Sequence, residues 1–287
     1  MNSLISVDRV IARTIPAINC EEGAGVKLKR SLGQNADTRL DPFLMLDAFS
    51  SDNPDDYIAG FPPHPHRGFE TVTYMLDGHM LHRDHMGNEG DLRSGGVQWM
   101  TAGRGVIHEE TPKQVDGLLR GFQLWINLPA AEKMQSAAYQ NVESEQVPEY
   151  KRSDGLVIRA IAGDIEIEGN NLQGPVSAPS TSPLYLDISL PAHRRITLPV
   201  RSEQSAFLYL FEGDVYVERV RVQNDAVTVL KEGEKVTLET EEQSARLLLL
   251  AGTPIGEPVV QYGPFVMNTK EEVEQAVSDY RAGCLTD

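Results

Sequence analysis

Along most of this chain, apolar and polar positions alternate in short runs that stop at glycine turns. Phe69-Glu-Thr-Val-Thr-Tyr-Met-Leu76 alternates large and polar side chains, is rich in β-branched types, and ends at Asp77-Gly78. Gly95-Gly96 precedes Val97-Gln-Trp-Met100, Gly103-Arg-Gly105 precedes Val106-Ile-His-Glu-Glu110, and Leu118 to Leu128 reads as a longer buried strand. The second half keeps the same rhythm, with strands predicted at 184–190, 206–211, 215–217 and 246–252. Many short strands of this kind predict sandwiches or barrels. Helical signals are few. Pro129 opens a brief helical stretch through Ala138, and Thr269-Lys-Glu-Glu272 is a capping box before Val273, Ala276, Val277 and Tyr280 at i, i+3, i+4, i+7. With Gly283 as C-cap, one amphipathic helix over about 270–281 should close a mostly-β chain.

A length of 287 residues suits two domains. The polar stretch carrying Pro148 divides residues 1–142, a linker at 143–154, and residues 155–287, whose similar rhythm implies an internal duplication. Each half can bury a core without a structural metal, so a metal here would serve function. A formal charge of −16 without a basic run argues against binding nucleic acid or anionic lipid. The chain shows no apolar N-terminal segment and no run long enough to span a bilayer, so a cytoplasmic protein is expected. Cys20 and Cys284 suggest no disulfide framework.

The chemistry gathers in the first half. His64-Pro-His66 places two imidazoles at i and i+2, on one face of a strand, and His108-x-Glu110 repeats that spacing. Two such pairs on neighbouring strands would bring three imidazoles and a carboxylate to one ion, a set that suits Fe, Ni, Mn, Co, Cu or Zn. Glu70 competes with Glu110 as the carboxylate, because it shares the parity of His64 and His66 unless Gly68 shifts the phase. His79, His82 and His85 sit beside Arg83 and Asp84 after a turn and read as a solvated hairpin, with a place at the pocket rim as the alternative. His108 where a dinucleotide fingerprint needs glycine, and Pro112 where a zincin needs histidine, exclude those motifs, and no nucleophile elbow or Walker loop occurs.

His64-Pro-His-Arg-Gly-Phe-Glu-Thr-Val-Thr-Tyr74, Gln98-Trp-Met-Thr-Ala-Gly-Arg-Gly-Val-Ile-His108, Gln123 to Leu128, Glu132-Lys-Met134 and Gly263-Pro-Phe-Val-Met-Asn-Thr269 together resemble the pirin family of the cupin superfamily. The resemblance implies a bicupin of two jelly-roll-like β-barrels, the first holding one metal on His64, His66, His108 and Glu110, the second without ligands. It leaves Glu70 behind the ligands. The second half holds only His193. One divalent transition ion per chain is implied, with Fe(II) first among Fe, Ni, Mn, Co, Cu and Zn. Some pirins resemble quercetin 2,3-dioxygenases, which open a flavonol ring with O₂ and release carbon monoxide. On that reading Glu110 is the base toward the substrate hydroxyl, and Phe69, Met100, Phe122 and Trp125 supply apolar walls. Other pirins resemble redox- or metal-responsive regulators that bind a protein partner, the alternative function for this chain.

Overall fold

The computed structural model describes residues 7–178 and 180–287. They form two compact units, one of residues 18–145 with 255–287, the other of residues 7–17 with 146–254. Each is built on one plan, a seven-stranded antiparallel sheet and a four-stranded one.

In the first unit the large sheet runs Ala138–Val142, Val97–Thr101, Phe69–Asp77, Leu119–Asn127, Phe43–Ser51, Val26–Arg30, Ile18–Glu22. The small sheet runs Phe61–His66, Val106–Pro112, His79–Asp84, Glu89–Arg93. In the second unit the large sheet runs Ile11–Pro16, Ala226–Leu230, Ser205–Gly213, Ala245–Gly252, Leu184–Leu190, Val157–Ala162, Glu149–Lys151. Its small sheet runs Arg195–Pro199, Lys235–Glu239, Tyr216–Val217, Val220–Arg221. Apart from the edge strands, the two orders match position for position. The duplication expected from the rhythm of the sequence is therefore present in the topology, as two cupin-like units with sheets that do not close into full barrels.

The predicted divisions at 142 and 155 need correcting. Residues 11–16 pair with Ala226–Leu230 and cover an edge of the second unit's large sheet. The C-terminal segment belongs to the first unit, and the expected linker contains the strand Glu149–Lys151, paired with Val157–Arg159. An uncovered sheet edge exposes unpaired backbone groups, and a short strand from elsewhere in the chain satisfies them. Nothing in local periodicity says which edge it will find.

The C-terminal helix is as read. It spans Lys270–Ala282, with Thr269 and Glu272 forming the capping box and Gly283 in the left-handed conformation as C-cap. The stretch after Pro129 is shorter than expected, a single 3-10 turn at Ala130–Glu132. Among the described residues, no helix is long and apolar enough to cross a membrane.

The units differ in their cores. In the second, Ile196, Leu198, Val236 and Leu238 turn inward from the strands that correspond to the histidine-bearing pair and join one aliphatic cluster with Leu186, Leu208 and Leu249. In the first, the apolar residues fall into smaller clusters, one of them Leu28, Phe49, Met75, Met80 and Leu92. Leu28, Phe49 and Met80 also line a cavity with His64 and His66.

Candidate metal centre

The small sheet of the first unit carries the centre. His64 and His66 project from one face of Phe61–His66, and the antiparallel register sets His108 directly opposite His64. The ligating nitrogens of His64, His66 and His108 all lie within 4.8 Å of one another. Nδ1 of His64 donates to the Pro62 carbonyl at 2.9 Å, which leaves Nε2 as a lone pair. That lone pair faces Nε2 of His108 at 2.9 Å. Two nitrogens in adjacent positions on one ion, each about 2.1 Å from it, would be about 3.0 Å apart. His66 is 2% exposed, and the Pro264 carbonyl is the one protein group that bonds its ring, so at least one ring nitrogen is left without a protein partner. A buried imidazole with a free lone pair between two inward-facing ones fits a cation, the one partner that satisfies all three lone pairs together.

Burial pushes the His66 and His108 imidazoles well below their ordinary range, and the neighbouring imidazoles add to this. Both are therefore neutral and ready to donate lone pairs at neutral pH. Glu110 follows His108 on the same strand, where the register slips by one residue. Its carboxyl is fully buried, and burial raises it to about 7 against an opposing bond from Thr73. Its Oε1 lies 3.2 Å from the Thr73 hydroxyl and its Oε2 3.5 Å from the Gln123 amide, so it stands apart from the three-imidazole group.

The choice between Glu70 and Glu110 turns on Gly68. With φ at +92°, Gly68 breaks the strand after His66, and a Cβ there would lie 2.0 Å from the Val266 carbonyl oxygen. The next strand restarts in the other phase. Thr73 faces Glu110, so Glu70, three residues earlier in an unbroken ladder, faces away. There it accepts a bond from Thr101 at 2.8 Å. Glu70 thus sits on the opposite face of the sheet rather than behind the ligands.

The three-histidine hairpin reading holds for two of its members. His79 pairs with Asp91 and His85 is exposed, whereas His82 is 2% exposed with its ring 4.5 Å from that of His108. Strand parity was the missed signal, because Met80 and His82 share the inward face of His79–Asp84. Charged neighbours on the outward face obscured it.

A cavity of about 520 Å³ opens over His64 and His66, lined by Phe49, Phe61, Met80, Thr73, Gln123 and Trp125 among others. Of the expected apolar walls only Trp125 lines it. Phe69 packs behind, its ring 4.3 Å from Trp125 and 5.2 Å from His66. Phe122 lies on the opposite face from Gln123 and Trp125, and Met100 packs with Ala102 and Val106.

From the far side, the C-terminal segment braces the ligand strands. Arg67, beside His66, pairs with Asp279 at 2.6 Å, donates to the Leu285 carbonyl at 2.9 Å, and bonds the Arg104 carbonyl. Lys133 donates to the carbonyls of Gly68 and Val266 at 2.7 and 3.0 Å and to Asn127 Oδ1 at 2.6 Å.

Comparison with known proteins agrees with this architecture. Residues 25–126 match the Pirin family model and residues 185–286 match the Pirin C-terminal cupin domain. A Pseudomonas aeruginosa protein named "Putative quercetin 2,3-dioxygenase" is 51% identical, with 92% of this chain and 93% of that protein aligned. A Vibrio cholerae protein named in the same way is 46% identical over 96% and 97%. The crystal structure of a quercetin 2,3-dioxygenase from Acinetobacter baumannii superposes with a TM-score of 0.89 at 32% identity, covering 97% of this chain and 99% of that one. With family models matched over residues 25–126 and 185–286 and relatives aligned over nearly its whole length, this chain belongs to the pirin family.

Proposed function

We propose that this protein is a metal-dependent dioxygenase that cleaves flavonols such as quercetin. The observation that carries the reading is a group of three convergent imidazoles, two of which, His64 and His66, line a cavity large enough for a planar aromatic. The names of its close bacterial relatives point the same way. His64, His66 and His108 would hold one divalent ion, Fe(II) foremost, and Glu110, which lies outside their group but lines the same cavity, is the candidate fourth protein group. Three nitrogens, with or without that carboxylate, leave positions open on a six-coordinate ion, as substrate chemistry requires.

When bound, the ion supplies Lewis acidity toward the substrate's enolate oxygen and a route for electrons to O₂. The protein's own groups do the rest. Trp125, Phe61 and Phe49 offer flat apolar surfaces for the rings and keep water from the site. Glu110 takes the proton of the 3-hydroxyl. Its carboxyl is favoured in the ionised form by a bound divalent ion, and that is the form that can accept the proton. Thr73 and Gln123 both donate to that carboxyl, which holds it in place and favours its ionised form.

The test is aerobic incubation of metal-loaded protein with quercetin while flavonol absorbance and O₂ are followed. Slow, O₂-dependent loss of the flavonol is expected. Chelation or His66→Ala should abolish it, and Glu110→Gln should slow it about 100-fold or more. Flavonol binding without O₂ uptake would overturn the dioxygenase reading in favour of a binding or regulatory role.

A further inference from the structure

We propose that His82 is a positioning residue of this centre, accepting the Nδ1–H of His108 and so fixing Nε2 as the nitrogen that His108 turns to the ion. The inference rests on the reading of the three imidazoles as an ion-binding group.

A neutral imidazole that gives one nitrogen to a metal carries its proton on the other, and that N–H needs an acceptor to hold the ring in orientation. For His64 the acceptor is the Pro62 carbonyl, and its Nε2 is left free. His108 uses Nε2 in the same way, facing His64 at 2.9 Å. Its Nδ1 lies 3.2 Å from Nε2 and 3.3 Å from Nδ1 of His82. No backbone carbonyl or carboxylate oxygen bonds Nδ1 among the described residues, so His82 is the acceptor available to it.

The backbone holds His82 in this place. It is the cross-strand partner of Glu110 on the strand beside His108, and the ladder continues unbroken from Asp84 to Met80. The Tyr139 ring packs against its other side at a centroid distance of 5.3 Å. His82 is thus caged between Tyr139 and His108, which explains a buried polar ring on a strand whose exposed residues are charged. As an acceptor imidazole is uncharged, it orients His108 without giving it the anionic character that a carboxylate partner would. This gives the ion two differently supported imidazoles, one backed by a carbonyl and one by a ring.

Three proteins test the role: wild type, His82→Phe, which keeps a ring but no acceptor, and His82→Gln, which restores an acceptor oxygen. Cobalt(II) affinity is measured by chelator competition, the visible bands of the cobalt protein by absorbance, and the melting temperature after metal removal by calorimetry. His82→Phe should bind cobalt about 10–100-fold more weakly with altered bands. Its metal-free melting temperature should not fall, and His82→Gln should recover most of the affinity. Wild-type affinity in His82→Phe, equal weakness in both variants, or an affinity loss that tracks lost metal-free stability would each overturn the positioning role. A wild-type protein that binds no cobalt overturns the ion-binding reading beneath it. A flavonol that is not turned over overturns only the dioxygenase proposal.

Discussion

The buried carboxyl of Glu110 and the buried imidazoles around it respond to pH with opposite signs. Glu110 titrates at about 7 in the folded protein, above its ordinary 4.5, so the folded chain holds that proton more tightly than the unfolded one. Its burden on stability is absent below 4.5, grows as pH rises, and is complete above 7. His82, lowered to about 4 by burial, behaves the other way, and stability is lost as pH falls from 6.5 through 4. Metal-free Glu110→Gln should therefore be more stable than wild type at pH 8, by up to about 3 kcal/mol, with the advantage gone near pH 4.5. Urea unfolding of chelated protein at both values checks this, and a pH-independent difference would count against it. The same variant should bind metal more weakly, because a divalent ion favours the ionised carboxylate that glutamine cannot provide. Glu70→Gln, on the far face of the sheet, should leave metal affinity within about twofold of wild type.

At the scale of elements, alternation made His64, His66 and His108 legible, because the i, i+2 rule needs only a strand to be true. The same rule misplaced Glu70, since it carries no information across a break such as Gly68. It would have placed His82 had the charged residues beside it not suggested a solvated hairpin. The helix at 270–282 was readable from its capping box and its apolar spacing, but its destination was not, since its partners lie some 200 residues earlier in the chain. Gly68 is the element-scale point to test. Gly68→Ala puts a Cβ into the Val266 carbonyl and demands a left-handed alanine, so it should cost on the order of 3 kcal/mol or more and abolish metal uptake. Denaturant melts and metal analysis check both. Asp279→Ala leaves the Arg67 guanidinium with carbonyl partners alone and should cost about 1–3 kcal/mol, visible as a lower melting temperature.

For the molecule as a whole, duplication of a fold has not meant duplication of a site. The second unit repeats the strand order of the first but turns Ile196, Leu198, Val236 and Leu238 into the space where the first keeps imidazoles. Apolar packing there supplies stability that the first unit gives up to its cavity. Metal analysis of protein purified without added metal should thus find one transition ion per chain, and two tight ions would contradict this. The bracing of Arg67 by Asp279 and Leu285 also bears on biosynthesis. The leucine that meets this arginine is 218 residues further along the chain, so a growing polypeptide passes the histidines long before it can brace them. Residues 146–254, all of the second unit except its N-terminal strand, are translated in between. The contacts that Asp279 and Leu285 make with Arg67 exist only once the segment beyond 264 has been made. A message cut short within that segment would yield a chain with His64, His66, His108 and Glu110 but without that brace.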